Sequence, residues 1–548
     1  MAGGHGAVMY SRRAALAAAK AFIGRSSASG ALVTALLVLV LIATAMAALA
    51  SYGGSEWPSL GDRGLWSAVR FTLLQASLST LLSVALAIPV ARALSRRASF
   101  SGRRAVIGLL SIPLALPALV AVLGLVTVYG RTGWLARLMT AAGLADPPNL
   151  YGLAGILLAH VYFNLPFAAL LLLARLDAIP GESWRLSSQL SFSGRSIFRL
   201  IEWPALRQAL PGVAAVVFLI CVTSFTIILT LGGGPAATTL EVAIYQALRF
   251  DFDPPRAVAL AAFQMILCLA LIVLLRRLGG GAMPMPSLGR TLSRPDGASR
   301  LARAIDTVVV TICVLFIGLP LVAVVLAGVS GSLPGLLADA NFWRAVVTSL
   351  LIAAVAAGLA MAGAWSLVVA GRQDGRVGAL ARLATDGGGV LLVVPPFVIG
   401  AGWFLLLNRF GLAFALAPLV IILINALMAL PYAVRILAAA DATQTRDHHR
   451  LCANLGLAGW ARFRLVDWPL LRRAFAFSGA LCAALSLGDL GVAALFGSER
   501  LTTLPLLLQQ RMGSYRSHDA ASLALLLAAL CLGFFLAADV ATRGSRRP

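Results

Sequence analysis

The sequence predicts an all-α membrane protein of about 12 transmembrane helices, arranged as two pseudo-repeated halves of six, and three observations carry that prediction. Hydrophobic residues make up 60% of the chain and charged residues 12%, with a mean hydropathy of +0.91. Soluble domains are roughly half apolar and a quarter charged. Apolar runs of about 20 residues, enough for a helix to cross a hydrocarbon layer, recur along the whole chain. Two polar stretches 265 residues apart then repeat one pattern, which is the mark of an internal duplication.

In chain order, residues 1–30 form a basic N-terminal segment, and the first six spans are expected near 31–50, 67–91, 105–129, 152–174, 212–231 and 257–275. Ala48-Leu49-Ala50 imitates a signal-peptide cleavage site, but the apolar run is too long and thirty residues precede it, so it reads as a retained helix. A stretch rich in Gly, Pro, Ser and Arg, 279–303, reads as a flexible cytoplasmic linker. The second six spans are expected near 305–329, 345–370, 389–407, 412–434, 475–496 and 519–541. The first transmembrane domain thus covers 31–278 with its core at 66–275, the second covers 304–541 with its core at 343–541, and 542–548 is a tail.

The net charge of +23 does not indicate nucleic acid, because of where the basic residues fall. Of the 44 Lys+Arg, 33 lie in the N-terminus, the tail and the loops that alternate with them, and 11 lie in or beside the opposite loops. Under the positive-inside rule both termini and both repeated loops face the cytoplasm. A nucleic-acid interface would need basic residues interleaved with aromatics on a soluble face, and no soluble stretch is long enough. Lys20 is the only lysine and follows no glycine-rich loop, which excludes a phosphate-binding loop of the Walker type. The five histidines lack partners at metal spacing, and His448-His449 reads as a solvated pair. Five of six cysteines fall in spans and Cys452 in a cytoplasmic loop, so no disulfide or metal cluster is implied.

The repeat itself runs from Trp184 to Leu210 and from His449 to Phe475, with 12 of 27 positions identical and no gap. It includes Arg185/Arg450, Leu190/Leu455, Gly194/Gly459, Phe198/Phe463, Trp203/Trp468 and Pro204/Pro469. A core helix would repeat only its apolar stripe. Here Arg, Gly, Trp and Pro recur, as expected of two short helices around a turn that present one docking surface twice.

The spacing of Gly456, Val466 and Pro469 resembles the EAA loop of bacterial ATP-binding-cassette (ABC) importer permeases, whose pattern is EAA-x3-G-x9-I-x-LP. Ser191, Ile201 and Pro204 stand at the same spacing in the first half. The chain departs from the pattern at the Glu position, which is Arg185 and Arg450, and at the first-half glycine, which is Ser191. A wider resemblance, to the thiamine permeases of Gram-negative bacteria, covers about residues 66–535 in order. It includes Val128-Tyr129-Gly130-Arg131-Thr132-Gly133-Trp134, the stretch from Leu231 to Leu248, Phe250-Asp251-Phe252-Asp253-Pro254, Ser486-Leu487-Gly488-Asp489-Leu490-Gly491 and Gly513-Ser514-Tyr515-Arg516. The resemblance implies a type I ABC importer fold in a bacterial inner membrane. It implies transfer of thiamine, and of its phosphate esters, from a periplasmic binding protein to the cytoplasm. It implies two copies of a separate ATPase subunit, one per loop, which bind the ATP and Mg, so that no cofactor and no catalytic residue belong to this chain. Arg185, Leu190, Ser191, Gly194, Ile201 and Pro204, with Arg450, Leu455, Gly456, Gly459, Val466 and Pro469, are then the ATPase-coupling residues. Related fused permeases carry ferric iron or other small solutes. A reading from another class is an ion-coupled secondary transporter, which places coupling carboxylates or histidines mid-membrane.

Three intramembrane polar residues are candidates for the translocation pathway. His160 aligns with Asn425, and a proline follows each six residues later. Asp489 falls inside the eleventh span between Gly488 and Gly491, with Phe225 as its expected first-half counterpart. For all three the competing reading is interhelical hydrogen bonding near a kink or hinge. Glu241, Tyr245, Asp251 and Asp253 are expected near the external mouth, as binding-protein contacts or solvated loop groups.

Overall fold

Apolar helices make up the protein because a backbone crossing lipid must satisfy its hydrogen bonds within its own segment. The computed structural model describes residues 29–52, 63–97, 99–144, 149–232, 234, 237–277, 294–297, 299–373, 378–379, 381–382, 394–444, 448–498, 501–514 and 516–543. Among them 11 helices are long and apolar enough to cross a membrane. The ninth expected span, 389–407, which is not among the 11, is helical over the 14 residues Pro396–Arg409, and its beginning lies outside the described residues.

Some spans that read as continuous in hydropathy are interrupted. The run at 105–129 is two helices, Arg103–Ala115 and Ala118–Tyr129, because Leu116 is extended ahead of Pro117. The fifth span of each half is broken at corresponding places. Trp203–Val222 is followed by Thr226–Leu231, and Trp468–Leu487 by Gly491–Phe496, each bound in the second half lying 265 residues beyond its counterpart. The duplication therefore continues through the membrane, well past the 27 positions where identity reveals it.

Packing divides the chain differently from its sequence. One compact unit combines 1–51, 343–504 and 529–548, and the other combines 52–342 and 505–528. The first helix of each half thus belongs to the unit built mainly from the other half, so the expected domains 31–278 and 304–541 describe the repeat rather than the packing. In the first unit Ser29–Tyr52 lies against Pro396–Arg409, where Trp403 Nε1 donates to the Leu41 carbonyl at 3.0 Å and Gly402 abuts the Ala45 carbonyl. In the second, Arg300–Val329 lies against Ala118–Tyr129, where a Cβ on Gly124 would stand 2.5 Å from the Pro320 carbonyl oxygen. Gly124 and Gly402 thus perform one task, letting an exchanged helix approach at backbone distance. Span order leaves that choice open, since lipid is as apolar as any partner helix and small residues select the contact.

Hydroxyl caps fix the starts of two short helices. Thr72 Oγ1 accepts from the Leu240 N–H at 3.0 Å, and Ser349 Oγ accepts from the Leu504 N–H at 2.8 Å, so corresponding short helices start on corresponding hydroxyls. Arg511 pairs with Asp339 and, at 2.6 Å, with Asp519.

Gly124→Leu should cost about 1–3 kcal/mol through overpacking. The expected result is a lower melting temperature for the solubilised protein, while Gly358→Leu, whose added Cβ meets nothing within 4 Å, leaves it unchanged.

Candidate coupling loops and buried polar residues

Each repeated loop folds as two short helices joined by a left-handed turn. The first comprises Gly181–Gln189, Gly194–Ile197 and a π-helical turn, Phe198–Glu202, that runs into Trp203–Val222. The second comprises His448–Asn454, Gly459–Arg462 and the π-helical turn Phe463–Asp467, running into Trp468–Leu487. Pro204 and Pro469 sit in the first turn of their helices, where a missing N–H costs nothing. The turn residues explain the departure at position 191. Gly456 adopts φ +64°, and Ser191 adopts φ +51°, so the serine holds the conformation that glycine takes in the other copy. A Cβ on Gly456 would meet nothing within 4 Å, which leaves the space beside this turn open.

The two loops expose the same surface. Leu186 and Leu451 are 55% and 54% exposed, Leu190 and Leu455 56% and 63%, Leu200 and Leu465 57% and 62%, so both copies hold out one aliphatic ridge. Trp203 and Trp468 extend it. Arg185 is exposed beside the first ridge, whereas the Arg450 side chain lies outside the described residues. Ile201 and Val466 are half-buried, Pro204 is half-buried and Pro469 exposed.

The undersides are polar and buried. Glu202 and Asp467, each the last residue of its π-helical turn, are buried acids at equivalent positions. Arg92, near the end of Arg63–Arg96, binds Glu202 at 2.7 Å and lies 4.3 Å from the Phe198 ring centre. Arg372, just beyond Ala340–Gly371, binds Asp467 at 3.0 Å and 3.1 Å and also grips Asp441 at 2.5 Å. Its guanidinium lies 5.0 Å from the Trp365 ring centre, and Trp365 packs on Phe463. Phe198 meets Trp203, and Phe463 meets Trp468, at 6.0 Å in both loops.

A second cation on Glu202 comes from the expected linker. Arg294 is buried and donates to Glu202, to Ser95 Oγ at 3.0 Å and to both carboxylate oxygens of Asp296, with its guanidinium 4.2 Å from the Trp184 ring centre. Asp296 also meets Arg96 at 3.3 Å. The linker 279–303, read as flexible, is therefore pinned at 294–297, although most of it lies outside the described residues. Burial alone lowers the pKa of Arg294 and of Arg372. The hydrogen bonds and charge of Asp296 and Glu202 around one, and of Asp441 and Asp467 around the other, outweigh burial and hold both above the ordinary value. Sequence comparison missed these acids because Glu202 and Asp467 are not identical.

The intramembrane candidates do not form one cluster. His160 is buried, with Nδ1 2.9 Å from Ser79 Oγ and Nε2 3.0 Å from Ser224 Oγ. Asn425 donates to Ser486 Oγ at 2.9 Å. Asp489 lies in the break between Trp468–Leu487 and Gly491–Phe496, where Oδ1 accepts from the Gly491 N–H at 3.1 Å and Oδ2 has no hydrogen-bond partner. Its counterpart is Ser224 and not Phe225, because the aligned helix ends place 224 and 489 at the same point of the break. Glu241 and Tyr245 are buried rather than presented at a mouth. Glu241 accepts from Gln264 at 2.9 Å, and Tyr245 packs edge-on against Phe225 and Phe250. Asp251 remains partly exposed, 3.5 Å from Arg256.

Duplicated sets of membrane helices, each carrying a loop with an exposed apolar ridge, are the architecture of a transport permease. Residues 379–543 match the family of binding-protein-dependent transport system inner membrane components. The thiamine transport system permease protein ThiP of Brucella abortus is 48% identical over 495 residues, covering 90% of this chain and 91% of that protein. Those of Salmonella typhimurium and Escherichia coli are each 44% identical, over 91% and 92% of this chain and 94% of theirs. The chain belongs to this thiamine-permease family of ABC importers and is a multi-pass inner-membrane protein.

Removing one partner of a buried ion pair costs about 3–5 kcal/mol, whereas an exposed pair contributes about 0–1 kcal/mol. Asp467→Asn should therefore lower the melting temperature markedly, and Asp251→Asn should leave it nearly unchanged.

Proposed function

We propose that this chain carries thiamine, and its phosphate esters, from a periplasmic binding protein across the inner membrane to the cytoplasm. Both termini and both loops lie on the cytoplasmic side, as the distribution of arginines supports. The observation that carries the reading is the pair of equivalent exposed ridges, on a chain aligned over nine-tenths of its length with proteins named as thiamine permeases.

A transporter with no phosphate loop draws its energy from outside. Two matching ridges suit two copies of an ATPase subunit that binds ATP and Mg. Leu186, Leu190 and Leu200, with Leu451, Leu455 and Leu465, supply the apolar contact, and the turns at Ser191 and Gly456 allow close approach. The buried acids beneath hold each loop to its helix, so closure of an ATPase dimer becomes rotation of a bundle. Arg185 and Arg450, standing where the common pattern has Glu, reverse the charge offered to the partner, and the ATPase cleft that receives them is correspondingly acidic.

Within the membrane, thiamine carries a permanent positive charge on its thiazolium ring. Asp489, with one carboxylate oxygen free of hydrogen bonds, lowers the barrier for that cation. His160 and Asn425, at matching positions of the two halves, are the further candidates for the route, each oriented by a hydroxyl partner.

Uptake into proteoliposomes containing the chain, its ATPase and its binding protein tests the reading. Gly456→Asp, whose Cβ strains the φ +64° turn but meets no atom of this chain within 4 Å, should assemble in the membrane yet lose most ATP-driven thiamine uptake; Ser191→Asp, where a side chain already holds the same turn, should be milder. Full uptake by Gly456→Asp would remove the second loop from coupling. Asp489→Asn should slow thiamine uptake roughly tenfold, about 1.4 kcal/mol, with basal ATPase activity preserved. Unchanged uptake would make Asp489 a helix cap alone.

A further inference from the structure

The two loops satisfy one electrostatic need from different sources. Asp467 in the second loop is served by Arg372, one residue beyond Ala340–Gly371, and by Arg462 of its own loop at 3.5 Å. Glu202 in the first loop is served by Arg92 from Arg63–Arg96 and by Arg294, which belongs to the connector between the sequence halves. The connector's arginine is not an incidental surface contact, because both Arg294 and Glu202 are almost wholly buried. Its local sequence prepares it for this position. In Arg294-Pro295-Asp296-Gly297 the proline presets a turn, and Asp296 folds back so that its two oxygens take Arg294 Nε at 3.1 Å and Nη2 at 2.8 Å. The guanidinium thus arrives oriented, with one face on Trp184 of the first loop helix and Nη1 on Ser95.

From this segment the network spreads to the helix that follows. Asp296 reaches Arg96 at 3.3 Å, Arg96 reaches Asp306 at 3.1 Å, and Asp306 lies within Arg300–Val329. One four-residue turn therefore joins the first loop helix, the π-helical turn, the end of Arg63–Arg96 and the start of Arg300–Val329.

We infer that Arg294 is a positioning residue for coupling: the connector between the halves inserts it beneath the first loop, where it holds Trp184 and Glu202 in register and sets the angle at which that loop meets its ATPase subunit. The inference rests on the ATPase-coupling reading above. It makes Arg294 part of the first docking element, whereas the described partners of Asp467, Arg372 and Arg462, lie outside the connector. The two loops are accordingly separable: damage at Arg294 acts on one and spares the other. A lysine cannot replace it, because an ammonium lacks the planar fork that serves Glu202, Asp296 and Ser95 together and stacks on Trp184.

The test uses the full chain with the ATPase subunit that copurifies with it, in proteoliposomes. Single cysteines replace Leu190 in the first loop or Leu455 in the second, and a short bifunctional thiol reagent reports the proximity of each loop to the ATPase; the six native cysteines are all buried. Arg294→Met should lower first-loop cross-linking roughly tenfold and thiamine carried per ATP hydrolysed by a similar factor, while second-loop cross-linking stays at the level of the unsubstituted arginine. Arg294→Lys should recover less than half of the loss. Arg290→Met, an equal loss of charge in the same connector, should change neither readout. Equal loss of cross-linking at both loops would show a general folding defect and overturn the inference, as would an unchanged first loop in Arg294→Met. If cross-linking and ATP-driven uptake are absent even with Arg294 in place, the coupling reading itself fails and this inference falls with it.

Discussion

A short polar loop seated on a bundle made almost entirely of apolar helices needs polar contacts to hold it, because apolar packing alone does not fix the angle of such a segment. Here the angle is set by a buried carboxylate at the end of a π-helical turn, Glu202 or Asp467, gripped by arginine at the end of a neighbouring helix. Burying such charges is expensive unless every partner is present, and for that reason the arrangement tolerates few alternatives. π-helical geometry is rare and persists where its surroundings over-determine it. Two copies at equivalent positions, each closed by an acid on arginine and by a Phe–Trp contact at 6.0 Å, show the surroundings doing so twice.

Other features acquire their meaning from this anchoring. The helices that receive the loops, Trp203–Val222 and Trp468–Leu487, both break before a six-residue helix. Each loop thus leads into a helix whose break holds Ser224 in one copy and Asp489 in the other. The break is filled differently. Ser224 turns its hydroxyl to His160, while Asp489 caps Gly491 and leaves one oxygen without a hydrogen bond. At this break the helix bounds of the two copies match while their side-chain chemistry differs.

The exposed ridge was legible in the sequence as a repeat, because Leu190 and Leu455, and Trp203 and Trp468, are identical in the two copies. The anchors beneath were not. Glu202 and Asp467 differ by a methylene, and Arg294 and Arg372 occupy unrelated positions, so identity at matched positions passes over them; comparing charge instead of identity would have found the acids. Arg294 was further hidden by a composition of Gly, Pro, Ser and Arg that reads as linker, although Arg-Pro-Asp-Gly is a turn with a preset ion pair. Helix number followed from hydropathy, but the break at Leu116-Pro117 and the exchange of first helices did not. Hydropathy records that a segment is apolar, not which glycine, Gly124 or Gly402, it will press against.

Backbone hydrogen exchange in the membrane-embedded protein measures the rigidity of the two seats most directly. The account predicts that amides of Phe198–Glu202 and Phe463–Asp467 exchange as slowly as those of the helices they enter, and that exposed neighbours at Ser191 and Gly456 exchange fast. Rapid exchange throughout both π-helical turns, at the rate of an open loop, would contradict it.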